Sequence, residues 1–143
     1  MAELAQYAAL PYVLLGGDIR VCLITSRSTK RWIIPKGWPK PPLQPYEQAA
    51  REAEEEAGLL GEIAAEAIGS YAYRKRLHFL SAPICRVSVF PLLVSAQRGR
   101  WPEKAERELV WVSVGAAAGM VRERDLGRLL EALPHWIAAR SVV

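Results

Sequence analysis

The chain reads as an α/β (α+β) domain, and three observations support this. Short β-rich runs such as VCLITS and ICRVSVFPLLV recur along it, bounded by Gly, Pro and polar turns. Two other stretches carry helical rather than alternating spacing, one Ala/Glu-rich over 45–57 and one Leu-rich over 125–139. The length of 143 residues, with 51% hydrophobic and 24% charged residues, fits one soluble domain over 1–143 with a single well-buried core.

Residues 8–15 (AALPYVLL) predict a first strand, closed by the turn Gly16-Gly17-Asp18. Residues 21–26 and 32–35 predict a second and a short third strand, separated by the polar turn RSTKR. A Pro-rich loop then leads into the Ala/Glu helix. Pro45 suits its first position, and Glu47 lies three residues after Gln44, which gives half a capping box behind a poor N-cap residue. Ala49, Ala50, Ala53 and Ala57 make a smooth side that can lie close to a sheet, and Gly58 suits the C-cap.

Beyond the helix, alternation over 61–74 predicts a strand around 67–73. Residues 84–94 form the clearest strand of the second half, with Pro91 pointing to an edge or a bulge. Residues 97–107 read as a polar loop and 109–113 as a strand. Residues 114–121 are weakly helical, and 125–139 close the chain as an amphipathic helix with Leu126, Leu129, Leu130 and Leu133 inward.

No apolar run reaches the 18 or so residues of a membrane span, and MAELAQY lacks the basic region of a signal peptide, so a cytoplasmic protein with no membrane partner is expected. Cys22 and Cys85 lie in strand-like runs and are expected to pack as small apolar side chains. His78 and His135 are isolated, so no Cys/His set has zinc spacing. The net charge is +4, yet six glutamates crowd residues 47–62 and leave the remainder markedly basic. A basic surface around an acidic helix suits a phosphate-rich small molecule. Nucleic acid would also suit that balance, but it would want aromatics interleaved with cations, and only Tyr71, Tyr73 and residues 74–76 come near that pattern. A small molecule is therefore the expected partner, with a homodimer left open.

Within the helix, Glu52, Glu55 and Glu56 stand at i, i+3 and i+4 and share one face. Three carboxylates there repel one another unless something positive lies between them, and Mg²⁺ is a hard cation that takes oxygen ligands. The plain alternative is a solvated acidic helix with Glu47–Arg51 and Arg51–Glu55 as surface pairs.

The stretch GWPKPPLQPYEQAAREAEEEAGL, Gly37 to Leu59, resembles the signature box of the Nudix hydrolases. The ending matches at Arg51, Glu52, Ala53, Glu55, Glu56, Gly58 and Leu59, while Leu43 stands where the box has its first acid. The resemblance implies a Nudix fold, a mixed β-sheet sandwiched between α-helices. It also implies hydrolysis of a diphosphate linked to another group, with Mg²⁺ or Mn²⁺. Carried over by position, Glu52, Glu55, Glu56 and the Gly37 carbonyl would be metal ligands. Glu52 or a neighbour such as Glu55 would take the proton of the attacking water, and Arg51 would brace the carboxylates by ion pairing. An additional acid outside the box is common in the family, and Glu103, Glu106 and Glu108 are the candidates. The first acid of the box supports a loop rather than the essential metal, so activity is expected to survive Leu43.

TSRSTKRWIIPKGWP before the box, and WPEKAER with Trp111 after it, are similar to bacterial relatives of the diphosphoinositol polyphosphate phosphohydrolases, which also cleave dinucleoside polyphosphates. That likeness implies phosphate contacts from Ser26, Arg27, Arg31, Lys36 and the run Arg74-Lys75-Arg76, where strand alternation would put Arg74 and Arg76 on one face. Gln97-Arg98-Gly99-Arg100 departs from the acids that such relatives often carry before the loop Trp. The alternative is a non-catalytic Nudix-type module that binds nucleotide or RNA. Loss of the helix carboxylates would have favoured it, and all three are present.

Overall fold

The computed structural model describes residues 3–77 and 80–140, and His78 lies outside them. Among the described residues, eight strands form one mixed sheet: β1 (Leu4–Leu15), β2 (Asp18–Thr25), β3 (Trp32–Ile33), β4 (Lys36–Gly37), β5 (Leu59–Ile63), β6 (Gly69–Arg74), β7 (Ile84–Gln97) and β8 (Leu109–Ser113). Three helices accompany it: α1 (Pro45–Ala57), α2 (Val114–Met120) and α3 (Arg124–Arg140). The order β3-β2-β1-β7-β5 forms the spine, with β8 also pairing β2, β4 pairing β1 and β6 pairing β7. β1 and β7 run parallel and the other pairs are antiparallel.

Alternation along the central strands sends apolar side chains to both faces. Leu10, Tyr12, Val21 and Leu23 join Leu126, Leu130 and Leu133 of α3 on one face. Ala9, Cys22 and Ile24 join Ala49, Ala53 and Ala57 of α1 on the other. Each fully buried Leu contributes roughly 2 kcal/mol of transfer free energy. The sheet is thus sandwiched between helices, as the sequence predicts. Burial pushes the Cys22 thiol up to about 12, which suits its apolar packing role.

The first turn forms as predicted, with Gly16 and Gly17 at φ +54° and +94°, the two positive angles that a type I′ hairpin needs. Helix α1 begins at Pro45, and the backbone N–H of Gln44 donates to Glu47 Oε1 at 2.8 Å, the half capping box read from sequence. Strand β1 starts at Leu4, earlier than the apolar pattern indicates, because its parallel ladder with β7 runs from Leu4↔Cys85 to Tyr12↔Leu93. Two strands were not anticipated: β4 and β5. In β5, Gly61 lies so close to the Leu93 carbonyl that a Cβ would collide with it.

Pro91 corrects an expectation. It lies in β7, which is central and has β1 on one side and β5 and β6 on the other. Its carbonyl accepts from Ala64 N–H at 2.9 Å on the β5/β6 side, where a residue's own N–H would also point. Pairing with β6 ends at Val89 and pairing with β5 starts at Leu92, so the missing donor falls at the hand-over and costs no ladder bond.

Candidate active site

Three backbone relationships bring distant residues together. β4 pairs with β1 at Tyr7↔Gly37, which places Gly37 beneath α1. The loop after β7 folds back on the helix end, with Arg98 N–H donating to Gly58 O at 2.8 Å and Glu103 N–H donating to Glu55 O at 3.1 Å. The turn from Ser26 to Arg31 closes a third side, with Ser26 N–H donating to Arg31 O at 2.8 Å and Lys30 N–H donating to Ser26 O at 3.1 Å. Between them lies an open cavity of about 480 Å³.

One wall is acidic. It carries Glu52, Glu55 and Glu56 from α1 and Glu103 from the loop. Glu52 and Glu56 are only 5% and 6% exposed. Gln48 Nε2, one turn earlier, donates to Glu52 Oε2. A Cβ at position 37 would collide with the Glu52 carboxylate, so only glycine permits this approach. Burial pushes the Glu52 carboxyl up, opposed by hydrogen bonding to Glu56 and Gln48, with the charge of Glu55 adding to the rise. Burial pushes Glu56 up to about 8. Arg107 opposes that rise, and the charges of Glu52 and Glu103 add to it. Lys36 backbone N–H donates to Glu56 Oε1 at 3.3 Å.

The cation that braces this wall is Arg107. Its side chain is 7% exposed, its Nε donates to Glu103 Oε1 at 2.8 Å, and its Nη2 stands 2.8 Å from the same oxygen. Nη1 donates to the Thr25 carbonyl at 3.0 Å, and Nη2 stands 3.8 Å from Glu56 Oε2.

The lining also carries the cations Arg27, Lys36, Lys40 and Lys75. Lys36 Nζ sits 5.1 Å from the centre of the Tyr73 ring. Burial pushes its ammonium down to about 8, with Glu56 opposing and Lys75 and Arg31 assisting. Tyr73 donates its hydroxyl to Gln6 Oε1 at 2.6 Å, and Gln6 also lines the cavity. Trp38 stands at the cavity, 38% exposed.

Of the residues that the sequence nominates, Ser26, Arg27, Lys36, Gly37, Glu52, Glu55, Glu56, Lys75 and Glu103 all line this cavity. The others do not. Arg31 is paired with Glu123 at 2.9 Å, which ties the Ser26 turn to the segment before α3. Glu106 pairs with Arg27 at 3.2 Å outside the lining, and Glu108 is exposed. Among the described residues Arg51 makes no ion pair with these carboxylates; it is exposed and lines a second cavity with Glu54, Glu55, Arg98 and Arg100, while Arg107 is the cation that pairs with Glu56 and Glu103. The Arg74 and Arg76 grip is also corrected. β6 ends at Arg74, so strand alternation does not extend over the run; Lys75 lines the cavity, while Arg74 is exposed and donates to the Ala82 carbonyl at 3.2 Å.

Sequence reasoning missed Arg107, Lys40, Trp38 and Gln6, all of which line the cavity. Trp38 and Lys40 flank the box glycine and carried a local signal. The contact of Gln6 with Tyr73 and those of Arg107 with Thr25 and Glu56 are long-range, and only the pairing of Arg107 with Glu103 is local.

The donor set fits a hard divalent cation. It is oxygen-only, two of its carboxylates are buried on one helix, and the backbone of Gly37 lies against the Glu52 carboxylate. Among the described residues, no three His, Cys, Asp or Glu side chains converge as a ready-made coordination set, so the carboxylates line the wall without meeting at one point.

No family model matches the chain. Nudix hydrolase 21, chloroplastic, of Arabidopsis thaliana is 36% identical over 118 residues, covering 82% of this chain and 58% of that protein. Nudix hydrolase 16, mitochondrial, of the same plant is 32% identical over 131 residues, covering 89% of this chain and 72% of that protein. The chain thus spans little more than half of the first of these. Among solved structures, a binary complex of the C. elegans Ap4A hydrolase aligns with a TM-score of 0.70 at 18% identity, over 95% of this chain and 98% of that one. The NUDIX domain of Shewanella oneidensis NrtR complexed with ADP ribose aligns with a TM-score of 0.69 at 15% identity, over 96% and 90%. At such identities these structures speak for the fold.

Proposed function

The chain belongs to the Nudix hydrolase family, and we propose that it is a metal-dependent pyrophosphohydrolase that cleaves a phosphoanhydride in a nucleoside diphosphate-linked or polyphosphorylated small molecule. The substrates we favour are of the dinucleoside polyphosphate or diphosphoinositol polyphosphate type. The observation that carries this reading is that one cavity is lined by both signs of charge, the carboxylates of Glu52, Glu55, Glu56 and Glu103 together with the cations Arg27, Lys36, Lys40 and Lys75. A polyphosphate needs both: cations along the chain, and a metal-holding acidic face at the scissile bond.

Glu52, Glu55, Glu56 and the Gly37 carbonyl would hold Mg²⁺ or Mn²⁺. When bound, such an ion neutralises charge on the phosphoanhydride oxygens and lowers the pKa of the attacking water. The protein's own groups do the rest. Glu52 or Glu55 accepts the water's proton, and Arg107 keeps Glu103 and Glu56 at the wall. Lys36 and Lys75 hold phosphate oxygens, and Trp38 offers a ring face to a base or sugar.

The test is phosphate release across dinucleoside polyphosphates, nucleotide sugars, nucleoside triphosphates and inositol pyrophosphates, each with Mg²⁺ and with Mn²⁺. Metal-dependent turnover that rises with the number of phosphates is the expected result. Tight binding of these compounds without turnover would favour a non-catalytic binding module instead.

A further inference from the structure

We propose that Gln48 is a positioning residue that fixes the Glu52 carboxylate for divalent-cation binding. This rests on the reading of Glu52 as a ligand. Gln48 is fully buried on the side of α1 that also buries Ala49, Glu52, Ala53, Glu56 and Ala57, one turn before Glu52. A buried amide is retained at a cost unless it is hydrogen-bonded. Its one bond is the donation from Nε2 to Glu52 Oε2, and Oε1 has no partner. The opposite amide orientation would set an acceptor against the carboxylate, so the donor faces Glu52.

The bond joins residues one helical turn apart, so α1 itself sets the geometry. On the other side, the backbone of Gly37 approaches so closely that no Cβ fits. Glu52 is therefore held between an amide donor and a glycine. One of its roughly four lone-pair positions is taken by Gln48, and those toward the cavity stay available to a cation. An outer partner that orients a ligand tunes metal affinity without touching the metal, with losses of about 10–100-fold when such a partner is removed.

The test uses Mn²⁺ alone, titrated into the full chain and followed by the electron paramagnetic resonance signal of the free ion at fixed pH. Gln48→Leu and Gln48→Met remove the donor while filling similar volume, so a fold failure in one leaves the other to report. Both are expected to keep the wild-type melting temperature within a few degrees and to weaken Mn²⁺ binding at least about fivefold. In a Glu52→Gln background, Gln48→Met should weaken it less than about twofold further, because the two act through one contact. Unchanged Mn²⁺ affinity in both single variants would overturn the positioning role, as would an equal loss with and without Glu52. Failure of the unaltered chain to bind Mn²⁺ would overturn the metal site itself, and the two failures are distinguishable.

Discussion

The indole of Trp101 occupies the space that a side chain at position 58 would fill, against the glycine that ends α1 at φ +69°. That contact joins the helix bearing Glu52, Glu55 and Glu56 to the loop bearing Glu103 and Arg107. Gly58→Ala forces a left-handed non-glycine residue and displaces the ring, so a loss of at least about 2 kcal/mol in denaturant unfolding is expected. A loss below about 0.5 kcal/mol would mean that the ring does not lock this junction.

Arg107 and Arg51 should separate cleanly. Arg107→Met leaves Glu103 without its partner and the Thr25 carbonyl without a donor, in a site where the side chains are largely buried. A cost of about 3 kcal/mol in unfolding free energy is expected, by the cost of breaking a buried pair. Arg51→Ala, at an exposed helix position, should cost less than about 0.5 kcal/mol. Equal costs would restore Arg51 as the brace.

Why one arginine was legible and the other was not is a matter of range. α1 could be read because its signals are local: Pro45 at the start, Gly58 at the end and carboxylates at helical spacing on one face. β8 matched its predicted limits because its apolar run is bounded by polar loop and helix start. Arg107 contacts Thr25 and Glu56, partners that only the tertiary fold supplies. For the same reason, strand alternation could not decide the run 74–76, because β6 ends at Arg74 and the two residues after it leave the ladder with β7. β5 was missed because Gly61 reads as a breaker, although here glycine permits close approach to Leu93.

The phosphate grip follows Lys75, which lines the cavity. Lys75→Ala should lower kcat/KM on a long polyphosphate substrate about tenfold, or roughly 1.4 kcal/mol, at fixed ionic strength. Arg74→Ala should change it less than about twofold, since that guanidinium points to the Ala82 carbonyl. The reverse order of effects would return the grip to the arginines.

Leu43 is half-buried in the loop before α1 and does not line the cavity. Leu43→Glu should therefore alter turnover less than about tenfold, less than roughly 1.4 kcal/mol in the barrier. A gain of several hundred-fold in steady-state rate would mark the unaltered chain as a weakened enzyme.

Turnover with and without Mg²⁺, compared between the unaltered chain and Glu55→Gln and Glu56→Gln, tests the acidic face of α1 most directly. Each substitution keeps the side-chain shape and removes one charge from a wall lined by four carboxylates. Strict metal dependence is expected, with each variant at least about 100-fold slower, since losing a charge-neutralising ligand costs several kcal/mol in the transition state. Circular dichroism should show both variants folded. Folded variants that hydrolyse substrate at the unaltered rate with Mg²⁺ would contradict the assignment of this helix as the metal site.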